Sequence, residues 1–431
     1  MLVKRGVLEE LSDAKSPVNL WNLFMISEMP AVVHSIKPSP EGINSRRLLP
    51  VLDSEKAIPF FLIAITFLLR LFFCTRAPDD SSDLFRHLGF TSHFFENPSL
   101  FYQLKAGQFP TEFWSQFWSE QGYIYPPAAL LFFSLFGTLG IGLFWVKLSL
   151  TLCDLASGIL IGRASSWWAA VLVFSAPVSV WYTSHEGQYE SLVSLLVIIT
   201  ILSVRSGRWI AAGAVFMLAL QTKQLAILLT PYLVFEILHC RQPNRLLAGK
   251  GFIIGFVAAF LPFIPFYYWR PDLWFLPLQS QANLLNPFYW PLGTSMTAMA
   301  HFDGCSYLRI LWDAIVSIGS LAVLALFLAG AKRGEFRARL LQALPVISFW
   351  LLIKSMAWVM SWYMIVLSGL TFALWRYRKW MILLFAFYWL QCGQQVSRCI
   401  GDDDHEDDES VAFFHQSLWH GDYRAQGPDL P

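Results

Sequence analysis

The chain has 431 residues, of which 55% are hydrophobic, 16% aromatic and only 14% charged, with 31 basic side chains against 30 acidic ones. A mean hydropathy of +0.48 describes a chain that cannot keep its surface in water, so the composition is that of a polytopic membrane protein. The net charge of +1 excludes a nucleic-acid partner, which needs a basic stripe.

Only helices and closed barrels satisfy their main chain in lipid, and an apolar run of roughly 20 residues crosses a hydrocarbon core of about 30 Å as a helix. The chain offers about ten such runs, which makes the class all-α. Lys4, Arg5, Lys15, Lys37, Arg46, Arg47 and Lys56 precede the first run, Ala57 to Cys74. Residues 1–56 are therefore expected in the cytoplasm and residue 75 on the far side. Residues 1–56 lack a short apolar region with a small-residue cleavage site, so the first run reads as a retained helix and not a signal peptide. The polar, aromatic-rich stretch Thr75 to Ile124 then becomes a first long exoplasmic loop.

From Tyr125 to Ser184 the length suggests three spans around Lys147 and Arg163, whereas a return to the same side needs an even number. One element there is expected to be short, re-entrant or surface-lying. Asp154 and Lys147 stand seven apart on one helical face and read as a structural pair. Basic turns follow at Arg205 and Arg208, at Arg241, Arg245 and Lys250, at Lys332, Arg333, Arg337 and Arg339, and at Arg376, Arg378 and Lys379. Each reads as cytoplasmic. Between the first two turns Lys223 interrupts an apolar stretch, which predicts two short helices meeting outward at that residue. Gly251 to Tyr268 is expected to run outward and Leu311 to Gly330 inward, leaving Arg270 to Ile310 as a second long exoplasmic loop. Lys354 to Trp362 and the tail fall on the same side. The domain reading is a membrane-embedded body over 57–396 and an acidic, solvated, disordered tail over 397–431.

Under this topology the polar residues that composition does not explain gather on the exoplasmic face. They are Asp79, Asp80, Asp83, Arg86 and His87, then His185, Glu186, Gln188 and Glu190, then Lys223 and Gln224, and last Lys354 with Trp362 and Tyr363. Such groups at membrane depth cost a few kcal/mol each, so several meeting on one side point to a functional site. No spacing marks a dedicated metal site; a divalent cation would have to use His87, His93 or His185 with Glu96 or Glu186. The six cysteines, Cys74, Cys153, Cys240, Cys305, Cys392 and Cys399, have no paired short spacing, so neither a zinc motif nor a disulfide framework is expected.

The motifs resemble those of the GT-C superfamily of membrane glycosyltransferases over about residues 57 to 395. SSDLFRHLGFTSHFFENPSLFY, from Ser81, is similar to that superfamily's first-loop motif, and Tyr123-Ile124-Tyr125-Pro126-Pro127 to its Tyr-Pro-Pro element. Ala176-Pro177 with His185 to Ser191 resembles the Asn-Pro and Gly-Gln-x-Asp-Ser pair. Thr222-Lys223-Gln224 with Pro231 resembles the Lys…Pro element, and Lys354 with Ser361-Trp362-Tyr363 the late Pro-Trp-Tyr element. The chain departs from the pattern at Leu88-Gly89-Phe90, where Trp-Asp-Gly would continue, at Glu190, where Asp is common, and at Ala176, where Asn is common.

The resemblance implies a bundle of about 10–12 transmembrane helices with two long exoplasmic loops. The multi-pass chain would lie in a bacterial inner membrane or an endoplasmic reticulum membrane. It implies inverting transfer of a hexose, mannose favoured, from a polyprenyl-phosphate donor to a hydroxyl of a glycan, lipid or protein acceptor. Such chemistry needs a carboxylate to take the acceptor's proton, with Asp83 the first candidate and Asp80 the second. It also needs cations for the leaving phosphate, in the order Lys223, Arg86, Lys354. Tyr125 and Tyr363 join the substrate-binding set, since the 19 Trp, 14 Tyr and 37 Phe supply sugar-stacking surfaces as well as an interfacial belt. The competing expectation is a transporter or lipid-linked-sugar flippase, which would show inverted repeats and charges near the bilayer midplane.

Overall fold

The computed structural model describes residues 54–78, 83–92, 94–95, 98–99, 123, 125–139, 142–240, 244–275, 306–332, 334–355 and 363–399, all within the unit Leu52–Pro431. Among the described residues every regular element is helical. Near the N-terminus lie α1 (Ser54–Cys74), α2 (Asp83–Ser92), α3 (Pro127–Leu139), α4 (Leu143–Ala164) and α5 (Trp167–Phe174). A turn at Pro177–Ser179 and a π-helix over Val180–His185 lead to α6 (Glu190–Arg205). Then come α7 (Trp209–Thr222), a 3₁₀ stretch Gln224–Leu229, α8 (Thr230–His239), α9 (Asn244–Phe260) and α10 (Ile264–Trp269). The last group is α11 (Ser306–Ala329), α12 (Phe336–Ser355), α13 (Tyr363–Thr371), a 3₁₀ stretch Phe372–Tyr377, and α14 (Arg378–Cys399).

Among the described residues, three segments are long and apolar enough to cross a membrane: Ala57–Cys74, Leu143–Ala164 and Asn244–Trp269. Part of the difference from about ten runs has a local cause, because polar or proline-bearing breaks divide two of the others into shorter pieces. Pro177 and the turn after His185 bend Pro177–His185 by 117° from Glu190–Arg205, and Lys223 separates Trp209–Thr222 from Gln224–His239. Apolar side chains still cover the outside, with Phe61 and Leu68 on α1 and Ile253, Ile254 and Val257 on α9 all exposed. Inside, Leu84, Phe133, Leu150, Val197, Phe216, Phe349, Ile365 and Phe385 form one continuous core. Where helices approach most closely, glycine makes room. A Cβ at Gly213 of α7 would sit 1.9 Å from the Phe252 carbonyl oxygen of α9, and one at Gly255 of α9 1.9 Å from that of Ile210. Close packing through small residues is how helices associate in lipid.

The helices run between two distinguishable ends. At one, Arg205 bonds the Ala164 carbonyl (3.3 Å) and lies 3.8 Å from the Trp375 ring centroid, Arg378 reaches Ser166 (3.1 Å), and Arg376 reaches Glu236 (3.2 Å). Arg339 bonds the Phe327 carbonyl (2.9 Å) and lies over the Tyr377 ring. The basic turns thus converge on one end. At the other, Phe73 meets His185 edge-on (6.0 Å) and Tyr267 donates to Gln221 (2.8 Å).

This division resolves the crossing count after Tyr125. α4 begins beside the end of α1, where Lys147 Nζ donates to the Arg76 carbonyl (2.7 Å), and finishes at the basic end. Tyr125 already packs on His87 at the end opposite the basic turns (4.4 Å). The 13-residue α3 therefore makes no net crossing and is the short element expected there. The same contacts correct the Asp154–Lys147 pair. Asp154 instead binds Arg70 of α1 (2.7 Å), because an arginine buried in an apolar helix requires a counter-charge at once.

Candidate active site

α2 starts at Asp83, and one turn later it delivers His87 into an aromatic enclosure. The buried ring stacks on Phe133 (4.1 Å, 9° between planes), tilts against Tyr125 (4.4 Å) and meets Tyr189 edge-on (5.1 Å). Its Nδ1 lies 3.2 Å from the Tyr123 hydroxyl. Four elements distant in sequence are joined by this one imidazole.

The second contributor is the break between the π-helix and α6. π-Turns are rare and concentrate at functional sites; here the widened turn is closed by the Glu186 N–H donating to the Trp181 carbonyl (3.1 Å). His185 stacks on Trp181 (4.1 Å), and its Nδ1 lies 2.7 Å from Glu186 Oε1. A carboxylate on one imidazole nitrogen fixes the tautomer and orientation of the ring. Gly187 then has φ +71, and a Cβ there would come within 2.5 Å of Leu84 on α2. Glycine is required on both counts, and the contact brings α2 against the His185–Gln188 turn. The buried Gln188 donates its N–H to the Tyr182 carbonyl (2.7 Å).

The third contributor is the Lys223 break. α7 stops at Thr222, Lys223 is extended (φ −156, ψ 129), and the chain resumes as 3₁₀ helix at Gln224. This is the pair of short helices expected from the sequence. Lys223 Nζ forms an ion pair with Glu190 Oε1. It also lies 4.3 Å from the Tyr363 ring centroid and 5.0 Å from that of Tyr189. The side chain of Glu190 is fully buried and that of Lys223 nearly so, a setting in which removing either partner strands a charge. Outside the spans, Arg270 grips Asp272 (2.6 Å) and holds its carboxyl below the usual carboxylate range.

A family model, glycosyltransferase family 87, matches residues 123–355, more than half of the chain. The chain belongs to glycosyltransferase family 87. Its activity is accordingly glycosyl transfer, and its helices of spanning length mark this family-87 glycosyltransferase as an integral membrane protein. No curated protein matches the chain. The matched stretch takes in Tyr125, the His185–Glu190 turn, Lys223, Gln224 and Lys354, while α1, α2 and Tyr363 lie outside it.

In the family-87 enzyme, five of the expected residues form one connected group: His87, Tyr125, Glu190, Lys223 and Tyr363, joined through Tyr189. His185 and Glu186 form an adjacent dyad. Asp83, Arg86 and Lys354 are described by their main chain alone, on α2 and in the last turn of α12. Asp79, Asp80, His93, Glu96, Trp362, most of the second loop and the acidic tail lie outside the described residues. Among the described residues no group of three or more His, Cys, Asp or Glu side chains could hold a metal ion. Sequence reasoning passed over Tyr189, the hub of the cluster, and Arg70. The signal for Arg70 was available: a lone arginine inside an apolar span.

Proposed function

We propose that the enzyme transfers a hexose, mannose favoured, from a polyprenyl-phosphate donor to an acceptor hydroxyl on the exoplasmic face, with inversion at the anomeric carbon. The observation that carries this reading is the segregation of the two ends. The basic turns meet at one, and the buried His87, His185–Glu186 and Glu190–Lys223 groups lie at the other. By the positive-inside rule the second end is exoplasmic. The His87, His185–Glu186 and Glu190–Lys223 groups, collected at one end, fit an enzyme that meets its lipid donor there, while the buried Arg70–Asp154 pair lies midway along α4.

Asp83 takes the proton of the acceptor hydroxyl as its oxygen attacks the anomeric carbon, and the bond from that carbon to the phosphate oxygen breaks. The polyprenyl phosphate leaves with the electron pair. Lys223, then Arg86 and Lys354, oppose the charge that develops on it. The ammonium of Lys223 has three N–H donors, so it serves Glu190 and a phosphate together. Tyr125, Tyr189 and Tyr363 offer rings against which a sugar packs. His87, His185, Glu186, Gln188 and Gln224 supply polar contacts to the sugar and acceptor hydroxyls. The acceptor is a glycan, lipid or protein.

The test is transfer of label into membrane extracts from a panel of polyprenyl-phosphate mannose, glucose and pentose. Incorporation from the mannosyl donor above the others is expected. Incorporation from nucleotide sugars alone would overturn the donor class.

A further inference from the structure

We propose that Arg70, held by Asp154, is a positioning residue that fixes the phase of the π-helix Val180–His185 and thereby sets where His185 and Glu186 stand. Its bearing on catalysis rests on the reading above, in which that dyad belongs to the active site.

The need arises from the chain break before the π-helix. Ala176 is extended (φ −57, ψ 124) and Pro177 has no N–H, so α5 ends with the carbonyls of Phe174 and Ser175 lacking a helical donor. In an apolar interior each such group costs several kcal/mol unless another donor reaches it. Trp389 Nε1 supplies the one for Ser175 (3.1 Å). Arg70 supplies Phe174, through Nε (3.1 Å) and Nη2 (2.5 Å), and its guanidinium lies 4.3 Å from the Phe174 ring centroid.

The same guanidinium then reaches across the π-helix. Nη1 donates to the Ser179 carbonyl (3.3 Å) and to the Ser184 hydroxyl (3.2 Å). Of the three points held, Ser184 lies in the π-helix, Ser179 just before it, and Phe174 at the end of α5 across the Ala176 break. From Ser179 to Ser184 is five residues, the step of a π-helix; in an α-helix five residues turn about 140° away from alignment, so one planar fork would not hold both. Asp154 completes the arrangement, pairing with Nη2 (2.7 Å) and accepting from the Ser179 hydroxyl, while Thr151 lies 2.9 Å from the Ser184 hydroxyl. Arg70 thus acts as a ruler for the turn whose next residue is His185. A lysine, with a point charge on a flexible stem, has no such fork.

The experiment uses the full chain with His185→Cys, labelled by a maleimide in detergent and read by mass spectrometry at that position. Arg70→Lys keeps the charge and removes the fork. Arg70→Met with Asp154→Leu removes both charges, an exchange that is often neutral for stability. Both are expected to melt close to the parent yet change the labelling rate at position 185 several-fold. Parental labelling in Arg70→Lys would overturn the proposal whether or not the double variant folds. Separately, on the native His185 background with polyprenyl-phosphate mannose as donor, Arg70→Lys should lower kcat by about 10²-fold, the scale of a misplaced catalytic group, with KM little changed. Parental transfer by His185→Ala alongside altered labelling would remove the dyad from the active site and leave the grip of Arg70 on the π-helix standing.

Discussion

The two ends of the bundle handle charge in opposite ways. At the basic end, arginines finish on carbonyls, a serine hydroxyl, aromatic faces and two carboxylates, and Arg376 remains 47% exposed. At the other end Glu190 is 0% exposed, and His87 and His185 are enclosed by aromatic rings. An exposed pair contributes about 0–1 kcal/mol and is readily exchanged. A buried one costs several kcal/mol in desolvation and persists only where geometry or chemistry requires it. On the proposed reading, one end orients the protein and the other carries its reaction.

The sharpest way to break that comparison is all-or-none. Single cysteines at 188 and 270 should react with a membrane-impermeant reagent from outside, and those at 208 and 379 only after permeabilisation. Labelling of position 208 from outside would reverse the assignment of the ends. Next in size is Asp83→Asn, which keeps volume and removes basicity. Transfer should fall at least about 10²-fold, the low end of a general-base effect, with Asp80→Asn much milder. Initial rates at saturating donor decide between them.

Lys223→Met should destabilise the fold by about 3–5 kcal/mol, because it leaves the Glu190 carboxylate buried without its partner. Adding Glu190→Gln should recover the melting temperature and still leave the donor KM raised about tenfold, the scale of a lost charged hydrogen bond. A parental KM in the double variant would make Lys223 structural only. At the basic end, Arg376→Gln removes the contact to Glu236 and should change stability by no more than about 1 kcal/mol, with no change in transfer rate. The smallest effect is a pH dependence at Arg270–Asp272. Because this carboxyl titrates below its usual range in the fold, the pair contributes fully above the ordinary carboxylate pKa and is lost as pH falls through the lowered value. Melting curves of Asp272→Asn should lose that acid-side slope.

Much of this contrast was legible in the sequence, because basic turns and stranded polar residues are readable one residue at a time. The Lys223 break was visible as a cation within apolar sequence, and its flanking helices form where expected. Partners were harder to read. Seven residues apart on one helix, Lys147 and Asp154 read as a pair, yet the partner of Asp154 is on α1. Helical spacing shows which residues share a face and says nothing about what another helix brings to it. Tyr189 was hidden for a related reason, since one tyrosine among 14 becomes a hub only when α2, α3, α7 and α13 close around it. The shortness of α3 and the π-turn depend on closure and capping by distant groups, which no local pattern encodes.

The buried Glu190–Lys223 and Arg70–Asp154 pairs also differ in the order of synthesis. Glu190 emerges 33 residues before Lys223, so α6 and α7 enter the membrane as adjoining segments, with the carboxylate already present when the ammonium arrives. Arg70 has no such neighbour: it enters with α1, and Asp154 follows only after α2, α3 and half of α4 have been made. During that interval the first helix carries an unmatched guanidinium, one turn from its end, where a long side chain can extend to the interface. Until Asp154 and the π-helix are in place, α1 is held in the bilayer by its apolar face alone.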